Sequence, residues 1–120
     1  MGDLTKNFNL SEFRCRCGCG AEDISMELVT DPQSVRNVYM KPIVINSGVR
    51  CEAHNERVNG YFDSEHLVGE AVDIGYSKSK DRFQLVSLLL ERGFRRIGIH
   101  ENFIHAGIGK LKTQDVIWVY

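Results

Sequence analysis

The stretch Ser64-Glu65-His66-Leu67-Val68-Gly69-Glu70-Ala71-Val72-Asp73 places a histidine in a polar loop and an aspartate on the apolar strand that follows. An imidazole and a carboxylate so placed can converge on one point. Zinc accepts both donors, and a catalytic zinc site characteristically takes three protein ligands and leaves one position for water. The segment Phe103-Ile104-His105-Ala106 offers a third donor: alternation along a strand sets His105 on the face opposite Ile104 and Ala106, and a polar residue in the middle of a strand needs a partner there. A lone strand histidine is more often hydrogen-bonded structure than a ligand, so the weight lies in the combination. The chemistry such a set would support is metal-assisted hydrolysis.

These residues must be positioned by a small number of elements. Ile43-Val44-Ile45-Asn46, after Pro42 and before Ser47-Gly48, reads as a buried strand ending in a tight turn. Ala71 to Ile74, Arg95 to Ile99, Phe103 to Ile108 and Val116 to Val119 read as further strands, with a tight connection at His100 to Asn102. Glu52 to Val58 suits a short helix stopped by Asn59-Gly60. Lys80 to Arg92 suits a longer one, with Phe83, Val86, Leu89 and Leu90 on its apolar face and Gly93 as its stop. Ser11-Glu12 marks a single helical turn, and Ser25 to Tyr39 one or two helices with a break at Pro32. Short connections between strands favour antiparallel pairing, so the expected class is α+β, a small antiparallel sheet with flanking helices.

The chain has 120 residues, enough for one domain spanning residues 1–120 and too few for two cores. With 42% hydrophobic and 26% charged residues and a formal net charge of -1, it fits an ordinary globular domain. That balance lacks the broad basic field that neutralises phosphates, so nucleic acid is not expected as a primary partner. No apolar stretch approaches the roughly 20 residues that span a bilayer, and no membrane partner is expected. Asp3, Lys6 and Asn9 stand where a signal peptide needs an apolar core, which predicts synthesis in the cytoplasm without one. Action at the cell wall, in the periplasm or on a virion would then need a separate route. A monomer is expected.

Taken in order, Ser47-Gly48-Val49-Arg50, His54-Asn55, Ser64-x-His66-x-x-Gly69-x-Ala71-x-Asp73, Ile97-Gly98-Ile99 and Phe103-Ile104-His105 resemble the zinc D-alanyl-D-alanine carboxypeptidases and related phage endolysin peptidases. The likeness runs from about Phe8 to Tyr120 and is strongest between Ile43 and His105. It implies the Hedgehog/D-Ala-D-Ala-peptidase fold, one zinc held by His66, Asp73 and His105, and a peptidoglycan peptide as substrate. It also makes Arg50 the active-site arginine, whose planar fork can bind a substrate carboxylate or the developing oxyanion. The alternative for Arg50 is a plain ion pair. Ser64 orients the loop or binds substrate, and Gly69 and Ala71 matter for being small near the metal.

The chain departs from these relatives at its proton-handling end. Where an acidic residue commonly stands three positions before the last histidine ligand, this chain has Asn102, and His-x-Asp is replaced by His105-Ala106-Gly107. Glu101 is the best candidate general base, with a solvated turn carboxylate as its alternative, and His100 can substitute for it or bind substrate. The function expected is zinc-dependent hydrolysis of peptidoglycan stem peptide, as a D,D-carboxypeptidase, D,D-dipeptidase or endopeptidase. The alternatives are a non-catalytic zinc-containing peptidoglycan-binding or structural module of phage origin, and a hydrolase of another amide. Cys15, Cys17 and Cys19 alternate so as to share one face of an extended strand. With Cys51 they leave three readings open: a structural zinc site, a disulfide, or unpaired thiols.

Overall fold

A computed structural model of the chain describes residues 2–120. Its regular elements are α1 (Glu27–Tyr39), β1 (Val44–Ser47), α2 (Glu52–Arg57), β2 (Ala71–Gly75), α3 (Ser79–Glu91), β3 (Arg96–Ile99), β4 (Phe103–Gly107) and β5 (Val116–Val119). Single 3-10 turns cover Leu10–Glu12 and Glu65–Val68. Among the described residues no helix is long and apolar enough to cross a membrane.

The five strands form one sheet in the order β1-β2-β4-β3-β5. Its register sorts the side chains into two faces. Ile45 pairs with Ile74, Ile74 with Ile104, and Ile104 with Ile99; one row along, Val72 pairs with Ala106 and Ala106 with Ile97. This face is the core, closed by Leu28, Val29 and Val35 of α1 and by Leu85 and Leu89 of α3. The intervening row is Ser47, Asp73, His105, Gly98 and Trp118, each the partner of the next across four adjacent pairings. A side-chain period of two therefore puts an entire polar row on the face away from the core.

Three expectations are corrected. The sheet is mixed rather than antiparallel, because β5 runs parallel to β3. The chain leaves β4 at Gly107 beside Arg96 and returns to β5 at Val116 beside the same Arg96, so it must enter the sheet in the direction of β3. Arg96 Nη1 secures this return by donating to the carbonyl of Thr113 at 2.6 Å. Second, α1 runs unbroken through Pro32. A helix-interior proline costs about 3 kcal/mol, which burial of Leu28, Val29, Val35 and Tyr39 on the same helix offsets at roughly 1.5–3 kcal/mol each.

Third, the buried face of α3 is Leu85 and Leu89, while Phe83 is 76% exposed. The helix meets the sheet and α1 one position round from where its bulkiest residue suggested. Leu89→Ala is accordingly expected to cost about 2–5 kcal/mol in urea unfolding, as large-to-small changes in a closed core do, whereas Phe83→Ala should lie within about 0.5 kcal/mol of the parent.

Candidate metal centre

The pairing of β2 with β4 sets Asp73 directly opposite His105. His66 lies on the 3-10 turn Glu65–Val68, whose capping residue, Ser64, accepts a hydrogen bond from the His66 amide at 3.2 Å. The turn ends at Gly69 in the left-handed region, φ 69°. A Cβ on Gly69 would stand 2.1 Å from the carbonyl oxygen of Asp23, so this glycine is required by its neighbour at 23 rather than by closeness to the metal site, which corrects the expectation for it.

His66, Asp73 and His105 are all buried, and one donor atom from each lies within 4.8 Å of the others. Asp73 Oδ1 is 3.2 Å from His66 Nε2 and 3.2 Å from His105 Nδ1. The far nitrogens fix which ring atoms face inward. His66 Nδ1 lies 2.7 Å from the carbonyl oxygen of Gly48, which can only accept, and His105 Nε2 lies 2.5 Å from Glu65 Oε2. Each ring donates its proton outward. What remain facing one another are two imidazole lone pairs and a carboxylate oxygen, a set of acceptors that calls for a cation or a proton between them. The donor set suits zinc.

Glu65 is the residue that sequence reasoning missed. It is 3% exposed, and both of its oxygens accept from Arg96 Nε, at 3.1 and 3.2 Å, while one also receives His105. Room for it is made by Gly107, where a Cβ would sit 2.2 Å from Glu65 Oε2, and by Gly109, where one would sit 2.5 Å from Oε1. The departure from His-x-Asp thus has a steric counterpart: the space beside position 107 is filled by a carboxylate from position 65. The only sequence signal for this was an acidic residue next to a histidine ligand candidate.

Burial alone would raise the Asp73 carboxyl, but in the metal-free protein an additional proton on the inward side of the His105 and His66 rings makes the hydrogen bonds and charge that hold it well below the usual carboxylate range. Glu65 is likewise pushed up by burial and brought below its ordinary value by His105 and Arg96. His105 is pushed down by burial, yet Asp73 and Glu65 together raise it. Arg50 adds a third partner to Asp73, with Nη2 3.2 Å from Oδ2. Its Nε donates to Ser47 Oγ and its Nη1 to Asn55 Oδ1, each at 3.1 Å, so both readings of Arg50 apply: it is ion-paired and it lines the cleft.

The cleft above the triad measures about 800 Å³ and is lined by Arg50, Ser64, His66, Asp73, His100 and His105, with Tyr61, Phe103, Trp118 and Tyr120 as apolar walls and Lys112 among its basic residues. Trp118 reaches its place because Gly98 has no side chain; a Cβ there would lie 2.6 Å from the indole. His100 stacks on Phe103 with ring centroids 4.5 Å apart, and its Nδ1 accepts from the Asn102 amide at 3.0 Å. That leaves Nε2–H as its donor, which suits it to binding substrate rather than to taking a proton. Glu101 is exposed and does not line the cleft, because the turn closed by the His100 amide on the Phe103 carbonyl carries it outward.

Two outcomes follow. In the chelated protein the depressed carboxylates stabilise the fold above their unfolded values, 4.5 for Glu65 and 3.8 for Asp73, and this is lost as pH falls through their lower folded values. Raised His105 stabilises it below 6.5, and this is lost as pH rises past that value toward its folded one. Thermal unfolding in chelator should therefore peak between about 4.5 and 6.5, and zinc should abolish the alkaline fall by replacing the proton on His105. Second, Gly107→Ala and Glu65→Gln should each weaken zinc binding about 10- to 100-fold in competition titrations, because both disturb the group that orients His105.

Comparison with known proteins agrees with this geometry. A family model described as Peptidase M15 matches residues 6–107, which include all three donors. No curated protein matches the chain.

Proposed function

The chain belongs to the Peptidase M15 family, a family of metallopeptidases, and on that premise we propose that it is a zinc-dependent hydrolase of the peptide bonds in peptidoglycan stem peptide. The observation that supports this most is the inward-facing set of two imidazole nitrogens and one carboxylate oxygen at the base of an open cleft. His66, Asp73 and His105 would hold the ion. When bound, zinc supplies Lewis acidity that polarises a carbonyl and lowers the pKa of water to about 7.

The rest of the chemistry belongs to the chain. Arg50 has three of its donors engaged by Ser47, Asn55 and Asp73, so the guanidinium is fixed in orientation, and its remaining donors are available to a substrate carbonyl or carboxylate. Of the basic residues in the lining, Arg96 is engaged by Glu65 and Lys112 by Asp63, so the two remaining donors of Arg50, with aromatic walls at Trp118 and Tyr120, are what suit the cleft to a short peptide that ends in a carboxylate. His100 donates to the peptide through Nε2. Glu101 takes the proton if the 100–102 turn swings inward over bound substrate.

A second reading is a zinc-containing module that holds stem peptide without cutting it. It is favoured by the outward position of Glu101. The deciding experiment incubates zinc-loaded protein with purified peptidoglycan and with synthetic stem peptides, and identifies new termini by mass spectrometry. Cleavage at one type of bond is expected, abolished in His66→Ala and reduced about 10²–10³-fold in Arg50→Ala, as for loss of an oxyanion donor. Glu101→Gln should lower turnover about 10²–10⁴-fold if Glu101 is the base. Absence of product from every substrate, with zinc bound, selects the second reading.

A further inference from the structure

Four cysteines meet on the far side of the Arg50 loop. Cys15, Cys17, Cys19 and Cys51 each place Sγ within 4.8 Å of the others, and all four are free. The segment from Cys15 to Gly20 is not the extended strand its alternation predicted. It folds through tight turns, with Gly18 at φ 83° and Gly20 at φ 89°, conformations open to glycine at no steric cost. These turns bring every second residue to one centre, to which Cys51 is added from the start of α2.

The sulfur spacing separates the disulfide from the other two readings of these thiols. Four sulfurs held about 2.3 Å from a zinc at tetrahedral angles stand roughly 3.8 Å from one another. The observed separations are 3.5 Å for Cys15 to Cys17, 3.8 Å for Cys15 to Cys51 and 3.5 Å for Cys17 to Cys51. A disulfide would draw one pair to about 2.05 Å and leave the others apart, whereas here three sulfurs are mutually near-equidistant. Backbone amides also point at the sulfurs: Cys51 N donates to Cys15 Sγ, His54 N to Cys51 Sγ and Ala21 N to Cys19 Sγ, each at 3.4 Å. Amide donors of this kind stabilise thiolate over thiol.

We propose that Cys15, Cys17, Cys19 and Cys51 form a second metal site, a closed tetrathiolate cage for a structural zinc ion. Each thiol gives its proton to solvent on binding, and the full ligand set leaves no position for water, so the site is structural. Its place defines what it steadies. The cysteine segment is docked on the 48–51 loop by the Val49 amide on the Phe13 carbonyl at 2.8 Å, and Arg16 Nη2 donates to the Ile45 carbonyl at 2.7 Å. That loop supplies the Gly48 carbonyl that orients His66, and Arg50, which pairs with Asp73. The cage ties the amino-terminal segment to the backbone that orients the cleft.

The test uses the full chain produced with zinc and purified without chelator. Elemental analysis should give two zinc ions per chain, falling to one in His66→Ala, and zinc-edge X-ray absorption of that variant should show sulfur ligands alone. Cys19→Ser, at the most exposed of the four, and Cys17→Ser should lose the sulfur-bound ion. Cobalt substitution of His66→Ala should give the intense visible bands and thiolate charge transfer of a tetrahedral sulfur site, a reading that stands even if the cysteine variants fail to fold. Metal-free His66→Ala, nitrogen or oxygen ligands at its remaining ion, or a non-reduced mass short by two hydrogens would overturn the proposal.

Discussion

A buried carboxylate with three partners organises this molecule. Asp73 is 4% exposed and meets His66, His105 and Arg50, each at 3.2 Å. A charge so deep in protein is tolerated only when its partners are fixed, and removing one leaves the others uncompensated. Each partner is therefore itself held: His66 by the Gly48 carbonyl, His105 by Glu65, and Arg50 by Ser47 and Asn55. The polar network extends to Arg96 and Thr113, and, once a cation or proton joins the three inward-facing acceptors, no buried side-chain nitrogen or oxygen among the described residues lacks a partner. Preorganisation of this kind lets a metal enter without rearranging its ligands.

The sheet makes this arrangement economical. Its pleat gives one row to the core and the next to the cleft, so Ile74 and Ile104 beneath, and Asp73 and His105 above, are consecutive residues on the same two strands. A slip of one residue between β2 and β4 would bury the acid among aliphatics and expose the isoleucines. Packing of the helices against the lower face thereby fixes the register that aligns the upper one. Fold stability and site geometry rest on the same strand pairing.

Much of this was legible in the residues. Alternation around His105 placed it correctly, the β-branched runs located the strands to within a residue or so, and Gly93 marked the end of α3. What escaped were features decided by contacts between distant segments. The helical period of α3 could not say whether Phe83 or Leu85 would face α1, since both stripes are apolar. Pro32 reads locally as a stop, but tertiary burial outweighs it. Glu65 has no role legible in the sequence, because its burial depends on β3 bringing Arg96 to it and on Gly107 clearing its space. Glu101 lies next to the right residues in sequence, yet turn geometry sends it to solvent.

The contact between Glu65 and Gly107 constrains how such a chain can drift. An acid at position 107 would be forced into the volume that Glu65 already fills, and shortening residue 65 first would leave Nε2 of His105 and the guanidinium of Arg96 without their shared acceptor. A larger residue at 107 and a glutamate at 65 therefore compete for one volume, and a change at either position is felt at the other.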